Sequence, residues 1–175
     1  KTAMEKLGKT AEPLKIGFCG EVPTARGLGS SSTCISAGVA AAFELSGAKY
    51  TKQDVAKIAS EIEGHPDNVS ACVYGGFVAS AIYADDDGEV LAVENFKIDD
   101  GFKFYALIPD FELSTKQSRE VLPKAVSMTA AKKNLANMPL LIKALENGNE
   151  TLLKFASADW LHQPYRGGII NGFFQ

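Results

Sequence analysis

The sequence lacks several features that would place it in a common class of protein. It has no apolar run of membrane-spanning length, no internal repeat, no low-complexity linker and no signal-peptide pattern at its start. It also lacks a basic excess: 18 Lys and Arg against 21 Asp and Glu give a net charge of −3. This charge argues against a nucleic-acid surface. With 46% hydrophobic residues among 175, the chain can still bury a core.

Cysteine is scarce. Cys19, Cys34 and Cys72 are far apart, are flanked by apolar residues and form no CxxC pair. An odd number of unpaired cysteines is typical of a reduced protein, so the sequence predicts buried free thiols and a cytoplasmic location.

Apolar periodicity and the positions of glycine predict a mixture of helices and strands. Helices are expected over 32–45, 51–63 and 69–74, from Ser114 or Thr115 through Leu122, and along most of the chain after Val126; strands are expected over 14–18, 77–84, 90–96 and 102–109. Thr51 suits an N-cap, and Gly8 and Gly64 suit C-caps. Without strict βαβ alternation the pattern favours the α+β class, with a domain change near residues 97–101.

A segment rich in glycine and serine, "GLGSSST" (residues 27–33), separates the first predicted strand from the predicted helix. The first N–H groups of a helix lack intrahelical partners and the helix dipole is positive there, so this segment suits an anion. Gly27 and Gly29 would let the backbone approach a phosphate closely. The serine hydroxyls would bind phosphate oxygens or magnesium. A plain turn with an N-cap is the alternative.

Three common loop motifs are absent from this segment. A Walker A loop ends in GK[ST], but Gly29 is followed by Ser30. A Rossmann GxGxxG loop has a third glycine where this chain has Ser32, and the nucleophile elbow GxSxG is not present. The spacing alone therefore predicts an anion site without specifying its type.

The order of residues from Pro23 to Ser31, "PTARGLGSS", resembles the PxxxGLGSS signature of the GHMP kinases, which act on galactose, homoserine, mevalonate and phosphomevalonate. In that family this loop wraps the ATP phosphates and one of its serines helps to bind magnesium. The resemblance implies Ser31, ahead of Ser30, as that serine. It implies ATP-binding roles for Pro23, Arg26, Gly27, Leu28, Gly29, Ser30, Ser31 and Ser32. The family commonly has alanine in place of Ser32.

A second cluster, "EIEGHPDNV" (residues 61–69), follows an amphipathic predicted helix. Glu63 falls at the end of that helix, where the partial charge is negative. A carboxylate there needs a bound cation or open solvent to offset the repulsion. Asp67 and Asn68 suit the N-cap of the following helix. On physical grounds a cation site and a solvated helix end both stay open.

The cluster resembles the homoserine kinase branch of the GHMP kinases, because E-G-H-P-D-N precedes V-x-A and a pair of glycines. The resemblance implies that Glu63 coordinates magnesium. It implies that Asn68 lies near the reacting groups as a catalytic residue. His65 and Asp67 would then bind the amine and hydroxyl end of homoserine.

Two arginines belong to a third set of patterns. Thr115 and Arg119 are spaced to share one helix face. Asp159, His162 and Arg166 are spaced to share another, with a proline that kinks or starts a helix there. Arginine grips a carboxylate through two parallel hydrogen bonds, and a pair of surface salt bridges is the alternative.

The patterns T-x-x-x-R and D-x-L-H-x-P-Y-R both resemble homoserine kinase signatures. The resemblance implies that Arg119 and Arg166 bind the carboxylate of the substrate. It also implies that Thr115 and Arg119 are catalytic residues. A dedicated general base is not evident from the sequence.

Taken over residues 14–166, the resemblance implies the GHMP kinase fold: a ribosomal-protein-S5-domain-2-like ATP-binding domain in residues 1–98 and part of a ferredoxin-like C-terminal domain in residues 99–175. The implied activity is ATP-dependent phosphorylation of the L-homoserine hydroxyl with Mg²⁺. Another GHMP kinase of the mevalonate type and a non-catalytic ligand-binding protein are the alternatives. The expected partner is the substrate L-homoserine, and neither nucleic acid nor a membrane is expected to bind. A homodimer is a candidate oligomeric state.

Two features of that family have no counterpart in the sequence. One is an early strand-rich segment with a substrate-binding asparagine and aspartate, and the other is a later glycine-rich motif. The chain also opens "KTAMEKLGK", which suggests the last turns of a helix. We therefore expect the chain to be incomplete at both ends.

Overall fold

A computed structural model describes residues 1–86, 88–108, 110–111, 115–170 and 172–173. The chain divides into two compact units, residues 1–96 and 97–175. Helices and strands are both present, which confirms the α+β class.

The described part of the first unit contains helices followed by a β-hairpin. The elements are α1 (Thr2–Lys6), α2 (Ser30–Ser46), α3 (Lys52–Glu63), α4 (Asp67–Tyr74), β1 (Phe77–Asp85) and β2 (Gly88–Phe96). The two strands pair antiparallel, from Phe77 opposite Phe96 to Asp85 opposite Gly88. The bounds of α2, α3, α4, β1 and β2 lie close to the predicted ones, so those predictions are confirmed.

The core of the first unit lies between its helices. Its buried side chains are Ala3, Val39, Ala42, Phe43, Val55, Ala59 and Val69. Ile58 and Ile62 pack against this cluster, which confirms that the predicted helix is amphipathic. The amide of Gln53 on α3 donates to the carbonyl of Leu91 on β2 at 2.6 Å and so links the helices to the hairpin.

Both ends of α3 are formed by the residues that the sequence indicates. Thr51 is the N-cap: its hydroxyl accepts from the Asp54 N–H at 3.2 Å, while the Asp54 carboxylate accepts from the Thr51 N–H at 2.8 Å. This reciprocal pair is a capping box. Gly64 ends the helix in the left-handed conformation, with φ +88°.

We expect Asp54→Asn to lower the free energy of unfolding by about 0.5–1 kcal/mol at neutral pH. Hydrogen bonds from the Thr51 side chain and backbone lower the pKa of Asp54 below its ordinary value. The contribution is therefore fully present above that ordinary value and is lost as the pH falls through the lower folded pKa.

Urea unfolding over a range of acid pH values measures this effect. The original chain and Asp54→Asn should converge in acid, whereas a constant difference between them at every pH would contradict the assignment. Asp86→Asn, an exposed change at the hairpin tip, serves as the control and should follow the original chain throughout.

The cysteines are free and exposed, so the prediction of buried thiols is wrong for Cys19, Cys34 and Cys72. On α2 the buried positions include Ser32 and Ser36 as well as apolar residues. Cys34 lies between those two serines and therefore on the outer face of the helix. Small polar residues share the inner face with apolar ones, so hydrophobicity alone is a poor guide to burial in this helix.

Two predicted strands do not form. Residues 14–18 and 102–108 have no strand structure, and Pro109 lies outside the described residues. Leu14, Ile16 and Phe18 alternate as on a strand, but they are 52, 82 and 64% exposed. A strand needs a neighbour to bond its N–H and C=O groups. No described strand pairs with either segment.

The described part of the second unit contains helices. These are α5 (Thr115–Glu120), α6 (Met128–Glu146), α7 (Glu150–Ala156) and α8 (Gln163–Arg166), followed by a 3₁₀ turn, Gly167–Ile169. The prediction of mostly helical structure after Val126 is confirmed. The first helix of this unit ends before Leu122, and the alternative start at Ser114 lies outside the described residues. In the described part of the chain no helix is long and apolar enough to cross a membrane.

Candidate active site

The glycine–serine loop leads directly into α2. Gly27 and Gly29 both have φ +73°, a left-handed conformation that strains residues with a Cβ. Gly29 is the N-cap of α2. Because a glycine cap has no side chain, it leaves the first N–H groups of the helix available to an anion. The backbone of this loop therefore has the form expected of a phosphate-binding turn.

Two serines at the start of α2 bond to the carboxylate at the end of α3. Ser31 Oγ donates to Glu63 Oε2 at 3.0 Å, and Ser32 Oγ donates to Glu63 Oε1 at 3.4 Å. Ser32 is buried, Ser31 is exposed and Glu63 is half-buried. The structure thus brings together the two residues that the sequence nominates for magnesium. It also shows that Glu63 is not simply a solvated helix end.

The start of α4 lies beside the same loop. A Cβ built on Gly29 would lie 4.0 Å from Asn68 Cβ. Pro66 is the N-cap of this helix, so the expectation that Asp67 or Asn68 would be the cap is wrong by one or two residues. The reason is that Asp67 already has helical geometry, and its carboxylate accepts from the Asn68 N–H at 2.8 Å.

His65 lies in the short connection between α3 and α4. Its Nδ1 is 2.6 Å from Asp67 Oδ1. An ionised carboxylate can only accept, so Nδ1 carries the proton in this contact. Nε2 is then the ring atom left to bind another group. The His65 side chain is 26% exposed and that of Asp67 is 73% exposed, so both can be reached from solvent.

Three helix ends therefore meet in the first unit: the N-termini of α2 and α4 and the C-terminus of α3. The two N-termini carry partial positive charge, which favours an anion. The single carboxylate of Glu63 adds a hard oxygen ligand next to them. This arrangement can hold a phosphate group together with a divalent cation.

The donor set fits magnesium bound mainly through a nucleotide. Among the described residues there is no group of three or more His, Cys, Asp or Glu that could hold a metal ion by itself. Magnesium in nucleotide sites is held by one or two carboxylates, by water and by phosphate oxygens. One carboxylate and adjacent hydroxyls are therefore enough protein ligands for such a site.

An open groove of about 630 Å³ lies elsewhere on the first unit. It is lined by Thr33, Ser36, Ala37, Ala40, Tyr50, Thr51, Lys52, Val55, Cys72 and Val73. None of these is a predicted site residue. The groove is mainly apolar and does not contain the Ser31–Glu63 pair, so its volume does not identify the chemical site.

The two arginines lie in the second unit. Arg119 is in the last turn of α5, four residues after Thr115, and Arg166 ends α8. Arg166 Nε donates to the carbonyl oxygen of Ser118 at 3.2 Å, which places Arg166 next to the residue before Arg119. Ion pairs formed by the described residues do not include either arginine. The alternative of two surface salt bridges therefore finds no support there.

The expectation that Asp159, His162 and Arg166 share a helix face is wrong. The helix begins only at Gln163, with Pro164 in its first turn. Asp159 lies in the preceding loop, where its carboxylate accepts backbone N–H groups instead of projecting beside Arg166. The helical spacing of Asp159 does not indicate this role, although an aspartate shortly before a proline-started helix is a typical capping signal.

The chain is similar to a known family of small-molecule kinases. Residues 1–76 match the model of the GHMP kinases N terminal domain. Over 174 residues the chain is 41% identical to a homoserine kinase of Clostridium botulinum and 38% identical to one of Clostridium beijerinckii. Each match covers 99% of this chain and 57% of the relative.

A solved structure agrees with these sequence matches. The crystal structure of homoserine kinase from Cytophaga hutchinsonii superposes with a TM-score of 0.73 and 30% identity, covering 89% of this chain and 50% of that one. The chain thus spans a little over half the length of the curated relatives that it matches. Residues 1–76 thus match the GHMP kinases N terminal domain, and nearly the whole chain is similar to proteins named homoserine kinase.

Proposed function

We propose that the protein containing this chain is a homoserine kinase, which transfers a phosphoryl group from ATP to the hydroxyl of L-homoserine and gives O-phospho-L-homoserine for threonine biosynthesis. The observation that carries this proposal is the meeting of Ser31, Glu63 and Asn68 at the N-terminus of α2. The relatives named homoserine kinase favour this activity over the mevalonate-type and non-catalytic alternatives.

The nucleotide phosphates would bind at the glycine–serine loop. The backbone N–H groups of Ser30, Ser31 and Ser32 begin α2 and point away from the body of the helix. Gly27 and Gly29 adopt positive φ angles. Because they have no Cβ, they would let the phosphates come close to the backbone. The proposed ATP-binding segment also includes Pro23, Arg26 and Leu28.

Magnesium is part of the proposal. Glu63 and Ser31 would hold it, since their oxygens lie within hydrogen-bonding distance of each other. When bound with ATP, the ion neutralises charge on the phosphates and polarises the phosphoryl group. Ser32 Oγ, from its buried position, holds the other carboxylate oxygen of Glu63 in place.

The amino-acid substrate would be held at both of its ends. Arg119 and Arg166 would bind its carboxylate by charge-assisted hydrogen bonds. His65, with Nδ1 tied to Asp67, would present Nε2 to the amine and hydroxyl end. Asn68 and Thr115 would lie near the reacting groups.

The proposed reaction is a direct displacement. The hydroxyl oxygen of homoserine would bond to the γ-phosphorus, the bond from that phosphorus to the bridging oxygen would break, ADP would leave, and the hydroxyl proton would pass to solvent. Asp67 is engaged with His65, so we assign it to binding and not to proton abstraction. Positioning and charge neutralisation supply most of the rate enhancement in this class of reaction.

Residues 1–98 would form the ATP-binding domain, and residues 99–175 would form part of the C-terminal domain. A cytoplasmic location agrees with the free thiols of Cys19, Cys34 and Cys72. A homodimer is the oligomeric state to test by sedimentation.

A coupled assay of ADP release tests the function. With the full-length protein that contains this chain, we expect kcat/KM for L-homoserine to exceed that for mevalonate by at least about 100-fold. A preference for mevalonate would favour the other kinase type. Magnesium-dependent ATP binding without turnover of any alcohol would favour a non-catalytic binding protein.

A further inference from the structure

One carboxylate organises the loop before α8. Asp159 Oδ1 accepts from the Leu161 N–H at 2.8 Å, and Oδ2 accepts from the N–H groups of His162 at 3.0 Å and Gln163 at 2.8 Å. Gln163 is the first residue of α8, so Asp159 caps this helix across the loop. A helix of four residues cannot hold itself by its own hydrogen bonds, because helix nucleation is unfavourable.

The loop on both sides of Asp159 is fastened to α6. Asn137 Nδ2 donates to the carbonyl of Ala158 at 2.7 Å, and the Trp160 N–H donates to Asn134 Oδ1 at 2.7 Å. The Lys133 ammonium lies 3.8 Å from the centre of the Trp160 ring. The residues on either side of Asp159 are thus held by α6, and Asp159 in turn fixes the first residue of α8.

The far end of α8 is Arg166. Its Nε donates to the carbonyl of Ser118, directly before Arg119. The chain from Asp159 to Arg166 therefore connects the support on α6 with the backbone of α5. We infer that Asp159 is a positioning residue: by capping α8 it holds Arg166 against α5 beside Arg119, in the proposed carboxylate site. This inference rests on the proposed function of the two arginines.

The contacts of Asp159 suit a positioning role and do not suit direct binding of the substrate. Three N–H groups occupy its oxygens, and its side chain is only 20% exposed. Partial burial raises the pKa of Asp159, but the N–H groups of Leu161, Gln163 and His162 outweigh that effect and leave the pKa below its ordinary value. The group therefore stays charged at neutral pH and remains a strong acceptor.

Kinetics of the full-length protein test the link to the substrate. We expect Asp159→Ala to raise KM for L-homoserine by about 10- to 100-fold and to leave KM for ATP unchanged. Loss of a residue that supports a metal ligand through a hydrogen bond has an effect of this size. Combined with Arg166→Ala, it should add little further, because both changes disable the same group. Asn149→Ala removes a comparable cap from α7 and should leave both KM values unchanged.

A second measurement tests the positioning without any activity. In NMR spectra of the full-length protein, the Arg166 Nε–H should exchange slowly, and Asp159→Ala should abolish that protection while Asn149→Ala preserves it. Asp159→Asn keeps one oxygen acceptor and should give an intermediate result if the alanine variant does not fold.

The outcomes separate the inference from the proposed function. Unchanged protection in the Asp159 variants, or an equal rise in KM with and without Arg166, would overturn the positioning role. Loss of protection in a protein that does not turn over L-homoserine would leave the positioning role standing and reject the homoserine kinase activity.

Discussion

Glu63→Gln is expected to lower kcat for homoserine phosphorylation by about 100- to 1,000-fold, corresponding to loss of a few kcal/mol of transition-state stabilisation. Glutamine has almost the same shape, and its carbonyl oxygen can still accept from Ser31 or Ser32, which now bond to the two oxygens of Glu63. The variant loses the negative charge that a magnesium ion next to the phosphates would need. The activity loss should therefore be partly relieved by raising the magnesium concentration.

The stability of this variant distinguishes a site residue from a structural one. A negative charge at the C-terminus of a helix is unfavourable, so Glu63→Gln should leave the free energy of unfolding unchanged or slightly higher. Glu61→Gln, two residues earlier, removes the ion pair with Lys6 and should cost at most about 1 kcal/mol of stability without affecting kcat. Full activity of Glu63→Gln at low magnesium concentration would reject the metal role.

Local signals made much of the first unit predictable. The cap residues Thr51 and Gly64 act through hydrogen bonds and backbone angles within a few positions, so the sequence alone marks the ends of α3. The hairpin is predictable for the same reason, because its two strands are adjacent along the chain. Residues 14–18 show the limit of this approach: their alternation is typical of a strand, but a strand forms only beside a partner.

The candidate site was predictable as separate motifs but not as one site. Ser31 and Glu63 are 32 residues apart, and no local pattern predicts that the start of α2 contacts the end of α3. Only the packing of the helices brings them together. Ser32 illustrates the same point: it departs from the usual alanine of the family, and the structure gives its hydroxyl a role as a second donor to Glu63.

The position of Asp159 could not be derived from helical spacing. Its distance in sequence from His162 and Arg166 suits one helix face, but the loop geometry decides the outcome. The carboxylate turns back to bond three N–H groups. Short polar side chains often prefer such local hydrogen bonds to a continued helix.

Arg166→Ala is expected to raise KM for L-homoserine by about 100- to 1,000-fold, since truncating one partner of a desolvated charge pair costs roughly 2–5 kcal/mol. KM for ATP should change little. Arg166→Lys should lose nearly as much as the alanine variant. Arg166 uses Nε for the Ser118 carbonyl, so its other N–H groups would be the ones to bind a carboxylate, and a lysine ammonium cannot reproduce that planar fork.

Arg119 should be less sensitive to the same exchange. It is exposed, and the ion pairs of the described residues do not include it, so Arg119→Lys should keep more of the binding than Arg166→Lys does. Lys154→Ala, an exposed cation on α7, controls for a general loss of positive charge.

The decisive comparison uses 2-amino-1,4-butanediol, which has a hydroxymethyl group in place of the carboxylate. If the arginines bind the carboxylate, the original protein and Arg166→Ala should use this poor substrate equally. A loss of the same size with both substrates would mean that Arg166 acts elsewhere in the reaction.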